Sequence, residues 1–184
     1  MARKGEVFID LKLAGDIGNT MANLVKPMAE LGVRFMTLQE AAESAITNHA
    51  LRSGRAARGG PFPEFYDGAS PFKSGEACRG RRRHRQVHRE KGKDLLDRGC
   101  DGLVVSGTSI RACRQALPEG VTLVSPGIRP AWTEVSGDDQ VRTTTPTEAI
   151  QYGADHLVVG RPIIAAPDPR DAAQRIIDEI AGAV

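Results

Sequence analysis

Short apolar runs alternate with amphipathic stretches along most of the chain. We interpret five of the runs as buried strands, at residues 6–9, 33–38, 103–106, 121–124 and 156–159. Between them, apolar positions recur at helical spacing, with capping and turn residues at their ends. Regular alternation of strands and helices predicts parallel strands joined by right-handed crossovers, and therefore an α/β fold.

Particular residues mark where the helices begin and end. Asn19 or Thr20 can cap a helix that runs to residue 31 and ends at Gly32. Pro27 lies inside this helix and predicts a kink or a shorter helix. Further helices are predicted at residues 41–55, 86–98, 108–117 and 145–153, and from Asp168-Pro169 towards the C-terminus.

The pattern breaks down between residues 59 and 91. Gly and Pro recur at short intervals through residues 59–80, and we predict no strand there. Residues 79–93 hold eight Arg and Lys against one acid, so the remainder of the chain has 17 basic and 22 acidic residues. We predict a single domain over residues 1–184, with residues 59–91 as an irregular, basic insertion.

The basic block admits three interpretations. Arginine-rich, patternless sequence between two well-patterned segments is typical of a shifted reading frame in GC-rich DNA, which is the interpretation we favour. A solvated loop comes next. Clustered arginine also suits nucleic acid, but the block has no interleaved aromatic residue and no RNA-binding motif, so a nucleic-acid partner is the least favoured.

Composition bounds the remaining classes. The hydrophobic content is 40%, as in ordinary globular proteins, and no apolar run reaches membrane-spanning length. Three cysteines without CxxC spacing indicate neither a disulfide framework nor a zinc site. With no signal-peptide pattern at the N-terminus, we expect a cytoplasmic protein without a membrane or metal partner.

Two predicted strands run into loops suited to an anion. The run at 121–124 stops at the turn Ser125-Pro126-Gly127, and the run at 156–159 stops at Gly160-Arg161-Pro162. Glycine lets a phosphate approach the backbone, arginine offers a bidentate charge, and proline suits the first turn of a helix. This pattern predicts a phosphate site at the carboxyl ends of parallel strands.

A charged pair follows the first predicted strand. On a regular strand, side chains at i and i+2 share a face, so Asp10 and Lys12 place a carboxylate and an ammonium side by side. At the carboxyl end of a barrel strand this pair would point into an active-site mouth. The alternative is a solvated ion pair of little energetic weight.

Together these segments resemble the orotidine 5'-monophosphate decarboxylase family. The resemblance is carried by FIDLKLAGDIGNT, VSPGIRP followed by GDDQVR, TPTEAIQYGAD and LVVGRPI. It is dense from residue 92 onwards, good over residues 6–58 and poor over residues 62–91. It implies a homodimeric, eight-stranded α/β barrel of the (β/α)8 TIM type. Such a barrel converts orotidine 5'-monophosphate to uridine 5'-monophosphate in pyrimidine biosynthesis, without a metal or organic cofactor.

The resemblance also implies catalytic roles. Asp10 matches the carboxylate placed against the substrate carboxylate, and Lys12 matches the ammonium that protonates the pyrimidine carbon. Asp16 matches an acid that the family contributes across its dimer interface. The spacing here is Asp-x-Lys-x-x-x-Asp, one residue longer than the family pattern.

Gly160 and Arg161 match the family's phosphate grip, and Gln140 matches a glutamine from the loop over the phosphate. The chain offers about five recognisable strand–helix units, beginning at what resembles the third strand of the barrel, so we expect an incomplete barrel. Two alternatives follow: an inactive phosphate- or nucleotide-binding remnant, or a related sugar-phosphate decarboxylase that uses magnesium.

Overall fold

A computed structural model describes residues 5–13, 18–39, 44–58, 64–67, 92–94, 96–97, 99–133 and 143–184. The chain divides into two compact units. The first comprises Met1–Gly68 and Glu90–Leu103, and the second comprises Ala69–Arg89 and Val104–Val184. Of the predicted irregular, basic insertion at residues 59–91, only residues 64–67 are among the described residues.

The first unit alternates strands and helices. Its elements are β1 (Phe8–Leu13), α1 (Gly18–Glu30), β2 (Phe35–Gln39), α2 (Ser44–Arg58) and β3 (Glu64–Asp67). β1 pairs with β2, and β2 with β3, and both pairs are parallel. The parallel arrangement predicted from the alternation of patterns is therefore confirmed here.

Helix α1 is held by a stripe of apolar residues. Met21, Val25 and Ala29 recur every four positions and are buried, so one face of α1 faces the core where it packs against α2. Pro27 lies inside the helix, which continues to Glu30, so the expected shortening does not occur. Gly32 follows with a φ of +76°, as a glycine that terminates a helix does.

Strand β3 corrects the sequence prediction. We predicted no strand between residues 59 and 80, yet Glu64–Asp67 forms one in register with β2, from Met36↔Glu64 to Gln39↔Asp67. Phe65 and Tyr66 favour a strand, but the segment is only four residues long and is flanked by Pro and Gly, so the sequence alone does not predict one. Pairing with the neighbouring strand provides what local propensity lacks.

The predicted helix at residues 86–98 is seen in part. Residues 92–94 and 96–97 are helical, and the rest of that range lies outside the described residues. Arg55 of α2 reaches the chain beyond it, donating to the Gly99 carbonyl at 2.7 Å and to the Asp101 carboxylate at 3.3 Å. Strand β4 (Gly102–Val104) follows, and the boundary between the two units falls within it.

The second unit continues the alternation. Its elements are α3 (Gly107–Ala116), β5 (Thr122–Ser125), α4 (Pro146–Gln151), β6 (His156–Leu157), α5 (Arg161–Ile164) and α6 (Pro169–Ala181). β5 and β6 pair in parallel through Val124↔His156 and Ser125↔Leu157. The core of this unit includes Ile110, Leu123, Val124, Ile128 and Ile176, all buried.

Two helices of the second unit begin at the predicted caps. Thr145 and Glu148 form a reciprocal capping box at the start of α4. Asp168 caps α6, its carboxylate accepting hydrogen bonds from the Arg170 and Asp171 amides at 2.9 and 3.1 Å. Both helix starts are therefore confirmed, and residues at the start of α6 line a pocket that is described below.

Arg114 of α3 ties together the segments around β5 and β6. Its guanidinium donates to the Gly153 carbonyl at 2.6 and 3.0 Å, to the Val121 carbonyl at 2.8 Å and to Asp155 at 2.5 Å. The Asp155 carboxylate also accepts from the Leu123 amide at 2.7 Å. The Arg114 side chain thus satisfies backbone carbonyls that precede β5 and β6 in the chain.

None of the helices within the described ranges combines the length and apolar character needed to cross a membrane.

Candidate active site

Asp10 lies within β1, in a part of the strand that is not regular. The strand was predicted to end at residue 9 but extends to Leu13, so Asp10 and Lys12 belong to it. Ile9 pairs with Met36 and Leu13 with Leu38, which means four steps along β1 match two steps along β2. Such an irregularity redirects side chains, and irregularities of this kind are common next to active sites.

A buried threonine holds the Asp10 carboxylate. Thr37 of β2 is fully buried, at 0% exposure, and its hydroxyl donates to Asp10 Oδ1 at 2.7 Å. Asp10 itself is exposed. One oxygen of the Asp10 carboxylate is therefore held by a core residue, although Asp10 itself is accessible to solvent.

Three other residues expected in the site are Lys12, Asp16 and Gln140. Lys12 lies on β1, but its side chain is outside the described part of the chain, as are Asp16 and Gln140. The roles expected for them remain predictions.

Gly160 and Arg161 stand together in the second unit, where the sequence placed the phosphate loop. β6 ends at Leu157, earlier than predicted, and Gly160 caps the four-residue helix α5 that begins at Arg161. A Cβ added at Gly160 would meet no atom within 4 Å, so the space beside this backbone is open. The predicted strand, glycine, arginine and following helix are all present in the predicted order.

Arg161 lines an open pocket of about 640 Å³. One side is formed by residues around α5 and the start of α6, and the other by the loop after β5. Its walls include Trp132, Thr133, Arg161, Asp168, Asp171 and Arg175. Two arginines and two carboxylates give the pocket a mixed charge, proline and alanine side chains form much of the remaining wall, and the volume suits a small organic molecule.

Trp132 forms one wall, and α6 holds it in place. The Arg175 guanidinium carbon lies 3.8 Å from the centroid of the indole ring. The indole Nε1 donates to Glu179 at 3.3 Å. The other Glu179 oxygen accepts from the Thr147 amide at 3.4 Å and hydroxyl at 3.1 Å. Trp132 therefore lines the same pocket as Arg161 and is held there by two residues of α6.

Glu179 thereby joins chain segments on both sides of residues 134–142. Trp132 precedes that stretch and Thr147 follows it. The backbone repeats the connection, since Arg129 donates to the Thr144 carbonyl at 3.0 Å. The contribution of Glu179 and Arg175 was missed from the sequence, where they read only as the polar face of an amphipathic helix.

The two cysteines within the described residues are packed thiols. Cys100 and Cys113 are both buried. Burial raises the pKa of the Cys113 thiol to about 11, against the smaller opposing effect of the neighbouring Arg114 charge. A thiol that resists ionisation is a poor nucleophile. Among the described residues, no group of three or more His, Cys, Asp and Glu is arranged to hold a metal ion.

Parallel strands that alternate with helices, in both units, are typical of the class of α/β-barrel enzymes, whose sites lie in the loops that follow the strands. A sequence model of the orotidine 5'-phosphate decarboxylase / HUMPS family matches residues 1–176. The chain therefore belongs to this family.

Individual relatives agree. The chain is 41% identical to an orotidine 5'-phosphate decarboxylase of Afipia carboxidovorans over 96% of this chain and 73% of the relative. It is 40% identical to that of Rhodopseudomonas palustris, over 97% and 74%. The crystal structure of the Lactobacillus acidophilus enzyme matches with a TM-score of 0.72 and 28% identity, over 95% of this chain and 75% of the other. The fold class is accordingly an incomplete (β/α)8 barrel, with six strands among the described residues.

Proposed function

We propose that this chain decarboxylates orotidine 5'-monophosphate to uridine 5'-monophosphate, a reaction of pyrimidine biosynthesis, without a metal or organic cofactor. The observation that carries the proposal is the extent of the family match. It spans residues 1–176 and so includes both the Asp10–Lys12 pair and the Gly160–Arg161 loop.

Asp10 and Lys12 are the proposed catalytic pair. The bond between the pyrimidine ring and its carboxylate breaks, carbon dioxide leaves, and the electron pair remains on the ring carbon. The Lys12 ammonium stabilises that developing anion and transfers a proton to it, after which solvent reprotonates the amine. Asp10 stands against the substrate carboxylate, so the repulsion between them is relieved as carbon dioxide departs.

Arg161, Gly160 and Gln140 are the proposed phosphate ligands. Two observations support this assignment. Arg161 lines a pocket, and the space beside the Gly160 backbone is open, since a Cβ there would meet no atom within 4 Å. Binding the remote phosphate provides free energy that orients the pyrimidine ring against the catalytic pair. A substrate without phosphate should therefore lose turnover as well as affinity.

The test is a decarboxylation assay followed by ultraviolet absorbance of orotidine 5'-monophosphate. We expect turnover in the wild-type chain and at least a thousandfold loss in Lys12→Ala, the order expected when a proton donor that also stabilises charge is removed. Lys26→Ala, at an exposed position on α1, is the matched control and should retain wild-type activity. Binding of uridine 5'-monophosphate without turnover would favour an inactive nucleotide-binding remnant. Magnesium-dependent turnover of a sugar phosphate alone would favour the related decarboxylase.

We also propose a cytoplasmic homodimer in which Asp16 completes the partner's active site. The buried thiols of Cys100 and Cys113 support a reducing compartment. The dimer is tested by mixing inactive Lys12→Ala and Asp16→Ala chains. If Asp16 acts across the interface, random exchange restores roughly a quarter of wild-type activity, because half the dimers carry one intact site. No recovery, or a monomer in sedimentation analysis, would contradict it.

We further propose that residues 1–184 act as one functional domain, as the family match over residues 1–176 supports.

A further inference from the structure

We infer that Thr37 is a positioning residue, whose hydroxyl fixes the direction of the Asp10 carboxylate. The inference rests on the proposed function, because Asp10 matters only if a substrate carboxylate is placed against it. Its physical basis is the 2.7 Å hydrogen bond from a fully buried hydroxyl on β2 to a carboxylate on β1.

The burial of Thr37 makes this hydrogen bond hard to replace. A buried hydroxyl that loses its partner bears the full penalty of desolvation, whereas one at the surface exchanges its partner for water. Thr37 is 0% exposed, and its backbone is fixed between Met36 and Leu38, which are also fully buried. The Thr37 hydroxyl therefore lies in the packed core. Its hydrogen bond to an ionised carboxylate is stronger than a hydrogen bond between two neutral groups.

The irregular register of β1 explains why Asp10 needs such a partner. In a regular ladder, backbone pairing sets the direction of every side chain. Between Ile9 and Leu13 the pairing with β2 shifts, so the ladder does not fix the direction of Asp10 in that way. The side-chain hydrogen bond from Thr37 restores a defined direction at the point where the backbone ladder is interrupted.

Direction matters because the proposed chemistry depends on where the carboxylate charge lies. A displacement of about 1 Å in a catalytic group can cost on the order of a hundredfold in rate. Losing one hydrogen bond to a charged group corresponds to a loss of about 10- to 100-fold. We therefore expect kcat to fall by about 10- to 100-fold when the Thr37 hydroxyl is removed.

The experiment compares Thr37→Val with Thr37→Ser. Valine keeps the branched shape and removes the hydroxyl, whereas serine keeps the hydroxyl and removes a methyl group. We expect Thr37→Val to lower kcat as stated and to leave the affinity for uridine 5'-monophosphate, which lacks the carboxylate, within about twofold of wild type. Thr37→Ser should recover kcat to within about threefold.

A double-mutant cycle with Asp10→Asn isolates the path of the effect. If Thr37 acts through Asp10, Thr37→Val causes little further loss in the Asp10→Asn background. Three outcomes would overturn the inference. Thr37→Val could lower kcat equally in the wild-type and Asp10→Asn backgrounds, or the valine and serine variants could lose kcat equally. The third is a loss of kcat accompanied by an equal loss of affinity for uridine 5'-monophosphate. Absence of turnover in the wild-type chain would instead overturn the proposed function, and the inference with it.

Discussion

Replacing Arg114 with methionine tests how the second unit is held together. Methionine keeps the aliphatic stem and removes the guanidinium, which leaves the carbonyls of Gly153 and Val121 without their donor. Each neutral hydrogen bond of this kind contributes about 1 kcal/mol. The pair with Asp155 contributes at most about 1 kcal/mol, because that carboxylate is 46% exposed and is screened by water.

We therefore expect the free energy of unfolding to fall by about 2–3 kcal/mol, since solvent partly replaces the lost donors. For a chain of this length, that corresponds to a decrease in Tm of about 4–12 °C, measured by circular dichroism or calorimetry. Arg111→Met, on the same helix, is the matched control. Arg111 stacks over the Tyr152 ring at 4.5 Å, a contact at an exposed side chain that is worth at most about 1 kcal/mol.

Arg114→Lys separates geometry from charge. Lysine keeps the positive charge but cannot donate to three acceptors in the planar arrangement of the guanidinium. We expect it to recover less than half of the loss. If Arg114→Met is no more destabilising than Arg111→Met, or if lysine restores the full Tm, the network does not have the role assigned to it.

Three further predictions concern substitutions of single residues. Gly107→Ala should destabilise the chain by at least about 2 kcal/mol in urea unfolding, because its Cβ would lie 1.9 Å from Thr144 Oγ1; a neutral result would contradict this. Gly160→Ala should leave stability within about 0.5 kcal/mol, since its Cβ meets nothing. It should nevertheless weaken uridine 5'-monophosphate binding in calorimetry, and unchanged binding would remove Gly160 from the phosphate site. Finally, the raised pKa of Cys113 favours the folded state below pH 9, and this stabilisation is lost as the pH rises towards 11. The fall in unfolding free energy over that range should be shallower in Cys113→Ala, and equal slopes would contradict the raised pKa.

The sequence predicts the second unit well because its signals are local. A capping box needs only Thr145 and Glu148, three residues apart, and the start of α6 needs only Asp168 followed by proline. Their effect does not depend on distant parts of the chain. The strand at 122–125 is equally legible, because a buried strand of a parallel sheet reads as a continuous apolar run.

Features that depend on pairing were missed for the opposite reason. Strand β3 exists through its register with β2, because Phe65 and Tyr66 favour a strand but a run of four residues between Pro63 and Gly68 is too short to predict one. The same holds for Thr37, an ordinary strand residue until the fold places Asp10 beside it at 2.7 Å. The irregular register of β1 also escaped the argument from i, i+2 spacing, which assumes a regular strand.

The contribution of α6 to the Arg161 pocket has a consequence for how the chain is made. Arg161 emerges from the ribosome before the wall that faces it, because Arg175 and the Glu179 carboxylate that holds Trp132 come later in the chain. A phosphate ligand stabilises only a state that binds it, by an amount that depends on its concentration relative to Kd. A phosphate bound as proposed can therefore contact all of the pocket's walls only once α6 has docked, since α6 follows Arg161 in the chain.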